Sequence, residues 1–382
     1  EAQDMLEQAI DKDDNFSEAH AYNGIVSMRI GRFEEAEESF DIALDIAEDN
    51  NNLDSLSSIY NFLGIYHKIR GHLKKAVRSF EKGLKIHKES NNKIKECHIL
   101  NNLADCYSKM RKNEQAIEFI ERIIPEYKKR EEFEYLANSY GNLGNAYKNM
   151  GQLTRALESY NKSSALCIKT ESNLSQAKIL IIISDIYNEM GLVNKSKNTL
   201  IKLEKLVNSL KNEHLYGRYK ASMALMYLNS DNLDNAIKYL EESIAHCQNS
   251  NNNNLVVRYL LDLSMILIKN NTEDEAQLKI DQAMTLLENK YKNPKYELIA
   301  QCHSLLIKLK DSPDPNRIEP ILEKIDDDVD LFYLISLCYK ECGDLNNFNK
   351  YSEKWNQHIL SSSENISDEK QKNSYLNLHL LN

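Results

Sequence analysis

Small residues recur in this chain at a spacing of 40. Gly24, Gly64, Ala104, Gly144, Ser184, Ala224, Ser264 and Ser304 each stand 40 residues from the next. A second small position follows twelve residues later, at Ala36, Ala76, Ala116, Ala156, Ser196, Ala236 and Ala276. Four residues beyond it comes a bulky one: Phe40, Phe80, Ile120, Tyr160, Leu200, Leu240 and Ile280. Such a period belongs to chains whose units cannot bury their apolar faces alone and must stack on their neighbours. Within a unit, apolar residues fall three and four apart, first at Ile59, Phe62, Leu63 and Tyr66, then at Leu73, Val77, Phe80 and Leu84, so each unit reads as two amphipathic helices. The small residues let the two helices approach closely and the bulky ones fill the space between them. Gly31, Gly71, Gly151 and Gly191 mark the turns inside units, where glycine can end a helix in the left-handed conformation. Asn50–Asn52, Asn91–Asn92 and Asn249–Asn254 lie between units. With 11 glycines and 5 prolines in 382 residues, the chain has too few turn formers for a β-sandwich or most phosphate-cradling loops.

The motif Leu143, Gly144, Tyr147, Ala156, Tyr160, and its counterpart Gly24, Ala36, Phe40, Ala43, resembles the tetratricopeptide repeat family over almost the whole chain. The family's usual unit is about 34 residues, so this chain looks like the long-repeat branch found in polarity adaptors, kinesin light chains, peptide-pheromone receptors and bacterial signalling proteins. The resemblance implies an all-α, right-handed superhelical solenoid of tandem helix-turn-helix repeats. Residues 1–16, with Ala2, Leu6 and Ala9, read as the second helix of a truncated repeat, so the chain is expected to be a fragment of a longer protein. Residues 17–310 read as seven complete repeats and the first helix of an eighth, 311–360 as Pro-interrupted and degenerate repeats, and 361–382 as a capping or connecting helix N-capped by Ser367. Pro313, Pro315 and Pro320 should break the stacking, and the next small position, Ser336, comes only 32 residues after Ser304.

Charge narrows the partners. With 48 Lys and Arg against 58 Asp and Glu the net charge is −10, which disfavours a phosphate-binding surface, so no nucleic-acid partner is expected. No run approaches the roughly 18 apolar residues of a membrane span, and the start carries no basic, apolar leader. The seven scattered cysteines read as reduced, buried hydrophobes of a cytoplasmic protein. No phosphate-loop, dinucleotide, zinc-protease or serine-hydrolase motif occurs. Cys338 and Cys342, one helical turn apart, lack two further metal ligands, and the acidic run Asp326, Asp327, Asp328, Asp330 lacks the glycine and distal Glu of a calcium loop. No cofactor and no enzymatic activity are expected.

What remains is a surface. The resemblance implies that the first helices line a concave groove, with the residues three before, one after and four after the small position facing into it. Those places hold Asn61, Ile65 and Lys68; Asn101, Asp105 and Ser108; Gly141, Asn145 and Lys148; Ile181, Asp185 and Asn188. In later units they hold Ala221, Leu225 and Leu228, then Leu261, Met265 and Ile268, an apolar stretch. An Asn carboxamide can pair with a peptide backbone irrespective of sequence. Asn61, Asn101, Asp105, Asn145, Lys148, Asp185 and Asn188 are therefore the expected peptide-binding residues. Because the two carboxylates face few groove cations in this reading, the ligand should carry Lys or Arg. The expected function is a non-enzymatic module binding an extended peptide or partner helix, as the regulatory or scaffold part of a larger signalling protein. The alternative is a receptor for a small signalling peptide that changes the superhelix on binding.

Overall fold

A computed structural model describes residues 5–380 apart from 7, 9, 11, 14, 91, 92, 291, 326 and 327. The expected second-helix positions Ala2 and Ala9, the spacer Asn91–Asn92 and the acidic residues Asp326 and Asp327 lie outside them. Among the described residues the protein is all-α: nineteen α-helices and one 3₁₀ turn, with no strand.

From Ser17 onward the helices come in pairs. First helices run Leu53–Ile69, Lys93–Lys109, Phe133–Asn149, Asn173–Glu189, Glu213–Leu228 and Asn253–Lys269, each followed by a second helix of similar length. The close approach expected at the 40-residue positions is present. A Cβ placed on Gly24 would lie 2.7 Å from the Phe40 ring, one on Gly144 2.7 Å from the Tyr160 ring, and one on Gly64 closer still to Phe80. Ala104 is fully buried, as are Phe40, Phe80 and Tyr160. Several first helices start on an Asn whose side chain accepts the N–H three residues on: Asn52 from Ser55 at 3.1 Å, Asn212 from Leu215 at 3.0 Å, Asn252 from Leu255 at 3.2 Å.

The turns reveal a finer period. Left-handed residues stand at 31, 51, 71, 111, 131, 151, 171, 191, 211, 231, 251 and 271, one every 20 residues between 31 and 271 wherever the backbone is described. The helices within a pair and between pairs are thus joined by the same device: one residue at positive φ re-aims the chain. Glycine serves at four of these places, but Arg111, Glu131, Glu171 and Lys211 adopt φ of 61°, 57°, 53° and 48° without glycine's freedom or the local hydrogen bonding of Asn and Asp. Replacing Glu131 or Lys211 by Gly should therefore stabilise the protein by roughly 0.5–1 kcal/mol, since relief of the left-handed cost of about 1–2 kcal/mol exceeds glycine's extra unfolded-state entropy. Urea-unfolding midpoints of the two variants measure this, and a lower midpoint in both would refute it.

The three prolines fall where the run of long helices is interrupted. The helix Pro294–Asp311 ends before Pro313, a 3₁₀ turn spans Pro315–Ile318, and a single helical turn Glu319–Leu322 follows. The helices Val329–Glu341 and Leu345–Glu364 then form a last pair. The final helix, Glu369–His379, is N-capped by Asp368, whose side chain accepts the Gln371 N–H at 2.8 Å, and not by Ser367. A carboxylate both satisfies the amide and complements the helix dipole, which a hydroxyl cannot match.

By internal contacts the chain divides into two compact units, Glu1–Met150 with Glu158–Thr170, and Gly151–Leu157 with Glu171–Asn382. In the second, the final helix returns to the turn after Glu189. His379 Nε2 lies 2.7 Å from the Glu189 carbonyl, Ser374 Oγ donates to the Gly191 carbonyl at 3.3 Å, and Trp355 Nε1 donates to the His379 carbonyl at 2.8 Å.

Candidate functional site

In the first unit the Asn row is built into the stacking. Asn102 Nδ2 donates to Asn61 Oδ1 at 3.0 Å, Asn142 Nδ2 to Asn101 Oδ1 at 3.2 Å, and Asn149 Nδ2 to the Ser108 carbonyl at 3.0 Å. Each bond joins residues 41 apart, one repeat plus one residue, so side chains of one first helix hold the first helix before it. Asn101 Oδ1 accepts again from Ser139 Oγ at 3.2 Å, and Asn145 Oδ1 accepts from the buried Tyr160 hydroxyl at 2.6 Å. The carboxamide oxygens of Asn61, Asn101 and Asn145 are therefore occupied from within the protein. The Nδ2 donors of Asn101 and Asn145 have no partner among the described residues, and both side chains are half-buried on the first-helix face. Lys148 lies one turn after Asn145, also half-buried.

Asp105 departs from expectation. Its carboxylate meets Lys68 Nζ at 2.9 Å and Lys109 Nζ at 3.1 Å, with its side chain only 16% exposed. Burial alone would raise this carboxyl, but the two ammonium groups hold it below the ordinary carboxylate range. The idea that this carboxylate faces few cations is thus incorrect. Lys68 reaches it from the preceding repeat, and Lys109 from the next turn of the same helix.

The second unit holds the other two expected residues. Asn188 is buried, donates from Nδ2 to the Ser222 carbonyl at 3.0 Å, and offers its own carbonyl to Asn229 Nδ2 at 2.7 Å, again across 41 residues. Its Oδ1 is buried without a hydrogen-bond partner. Asp185 accepts from the Ser222 hydroxyl. Asn188 is thus chiefly a structural residue, because its donor and carbonyl are spent on the next first helix.

Beside Asp185 opens a cleft of about 470 Å³, walled by the first helices Glu213–Leu228 and Asn253–Lys269. Its lining contains the expected apolar residues Ala221, Leu225, Leu228 and Met265, but also Arg218, Arg258, Asp262 and Lys269. The description of this stretch as apolar was incomplete. Arg218 and Arg258 stand six residues before the small positions Ala224 and Ser264, a place that the three-position reading of each helix omitted. Reading one turn further towards the helix start would have found both. Arg258 pairs with Asp262 at 3.8 Å. Burial tends to raise the Asp262 carboxyl, opposed by Arg258, and the net shift is upward.

Cys338 is buried in the core with its thiol pushed upward by burial, its Sγ 4.0 Å from the Cys302 carbonyl, and Cys342 is half-buried. Asp328 and Asp330 both bind Lys295, at 2.9 and 2.6 Å. Among the described residues no three His, Cys, Asp or Glu are grouped to hold a metal, and no helix is long and apolar enough to cross a membrane.

Comparison with known proteins gives the same architecture. Residues 47–215 match the family model described as soluble NSF attachment protein, SNAP. No curated protein matches the chain. Among solved structures, a Rap protein complexed with competence and sporulation factor is 12% identical, with 91% of this chain and 99% of that one covered at a TM-score of 0.68. The Rap conjugation gene regulator of plasmid pLS20, in complex with the Phr* peptide, is 14% identical, with 96% and 98% covered and a TM-score of 0.58. A STAND signal-transduction ATPase with a tetratricopeptide repeat sensor, from Pyrococcus horikoshii, is 15% identical, with 98% of this chain and 54% of that one covered at 0.59. At these identities the likeness is one of fold.

Proposed function

We propose that this chain, a tetratricopeptide-type repeat protein, is a non-enzymatic interaction module that binds an extended peptide or partner helix along the faces of its first helices, as the regulatory or scaffold part of a larger signalling protein. The observation that carries the reading is the state of Asn101 and Asn145. Their oxygens are held by the protein and their Nδ2 donors are left without partners, so each presents a fixed N–H to a passing backbone carbonyl. The peptide complexes of the two Rap structures, which share the fold, support it. Asp105 is already neutralised by Lys68 and Lys109, so the preference for a basic ligand would have to come from Asp185 alone.

The test replaces a donor without disturbing the acceptor. In the double variant Asn101→Asp, Asn145→Asp each side chain still accepts from Asn142, Ser139 or Tyr160 but no longer donates. Against peptides selected from a synthetic octapeptide library, binding should weaken by about 30-fold, from roughly 1 kcal/mol for each of two lost bonds. The melting temperature should move little. Unchanged binding by the folded double variant would overturn the groove reading.

A further inference from the structure

The cleft in the second unit is lined by three cations, Arg218, Arg258 and Lys269, against two carboxylates, Asp185 and Asp262. Arg218 is half-buried, lines the cleft, and has no ion-pair or hydrogen-bond partner among the described residues. Of the other charges there, Arg258 faces Asp262, Asp185 takes the Ser222 hydroxyl, and Lys269 adds a further cation to the lining. A half-buried cation left unpaired loses hydration without gaining a partner, a cost that a bound anion would remove.

Arg218 is also part of a column. Lys178, Arg218 and Arg258 stand 40 residues apart, each six residues before the small position of its first helix, so three successive first helices present a cation at one level. Lys178 too has no ion-pair partner among the described residues. The field of this column is felt nearby: His214, held below its ordinary value first by burial, is pushed further down by Arg218 and Lys178. Ala221, Leu225, Leu228 and Met265 give the same cleft an apolar part.

We infer that this cleft takes a peptide segment in which a carboxylate stands beside a bulky apolar side chain, the carboxylate meeting Arg218 and the side chain packing on Leu225, Leu228 and Met265. A guanidinium can take a carboxylate in two parallel hydrogen bonds, which fixes orientation as well as charge. The volume of about 470 Å³ accommodates one large side chain and part of its backbone rather than a folded partner. The carboxylate can be that of an Asp or Glu or the peptide's own C-terminus. This inference rests on the peptide-binding reading above and adds a ligand class to it, one opposite in charge to that expected from the sequence.

The experiment uses the full chain and a synthetic random octapeptide library made twice, once as free C-terminal acids and once as amides. Peptides retained by the unaltered protein should be enriched in Asp or Glu, or depend on the free terminus, next to Leu, Ile, Met or Phe. Comparison of the acid and amide libraries distinguishes the two sources of the carboxylate. Arg218→Gln should weaken the retained peptides by about tenfold or more. Arg218→Lys should restore part of the loss. Should Arg218→Gln fail to fold, the enrichment measured with the unaltered protein still decides. Retained peptides that carry no carboxylate preference, or that favour Lys and Arg, overturn the inference while leaving the peptide-binding reading intact. Retention of no peptide at all overturns both.

Discussion

Phe80→Ala should cost the protein about 3–5 kcal/mol. The ring is fully buried, and the glycine across from it, Gly64, has no side chain to move into the space left behind. First and second helices are held at the distance this ring sets, so the site can collapse only if the helix pair shifts as a whole. The converse change, Gly64→Ala, puts a methyl into the ring and should cost roughly 1–3 kcal/mol as overpacking. Because the two changes act on one contact, their effects should not add: Gly64→Ala combined with Phe80→Ala should be more stable than the sum of the singles by roughly 1 kcal/mol or more. Denaturant unfolding of the four proteins completes the cycle. Strict additivity would mean that the glycine and the ring do not share a contact and would remove the physical basis of the 40-residue period.

The second large effect is a pH dependence centred on His303. This imidazole is 3% exposed, and its Nδ1 lies 2.8 Å from Ser264 Oγ, whose hydroxyl donates to the Leu261 carbonyl. The serine oxygen is then left to accept from an Nδ1–H. Burial pulls the ring down from 6.5 to about 4. The folded state therefore prefers the neutral ring. Above pH 6.5 both states are neutral and nothing is lost; between 6.5 and 4 the unfolded chain takes up a proton that the folded chain refuses, and stability falls as pH falls. From this group alone the loss at pH 5 relative to pH 7.5 is roughly 2 kcal/mol. His303→Gln should cancel that part of the acid sensitivity, leaving the parts due to other buried histidines. Unfolding midpoints of the two proteins at both pH values give the answer. An equal pH slope in both would show that His303 is protonated freely in the fold.

The fold was legible because its packing uses residue size. Gly64 and Phe80, or Gly144 and Tyr160, are visible as a small and a large residue at fixed offsets, and helix contact follows. The 20-residue beat of left-handed turns was legible only where glycine occupies it. Arg111, Glu131, Glu171 and Lys211 are forced into that conformation by the helices on either side, and nothing in their side chains announces it. At the site, the positions of the Asn residues could be read but not their commitments. A bond from Asn142 to Asn101 or from Asn229 to Asn188 spans 41 residues and belongs to the stagger between helices, which periodicity alone does not carry. The Lys68–Asp105 pair was hidden for the same reason. Arg218 was in plain view, but counting groove-facing places by threes and fours from the small residue passed it by.

The return of the final helix to the turn after Glu189 bears on how this unit folds and yields. In an array whose members touch only their neighbours, folding can begin anywhere and spread, and an end can fray without troubling the middle. Here His379 meets a carbonyl 190 residues away and Ser374 one 183 residues away. Such contacts cannot form until the intervening repeats are in place, so they belong to the late part of folding and raise the separation over which the chain must cooperate. Once formed, they link the two ends of a long stretch of repeats. Any rise in pitch between Gly191 and Trp355 must lengthen or break the bonds of the last helix, and any force that peels that helix away gives the repeats back their freedom to stretch.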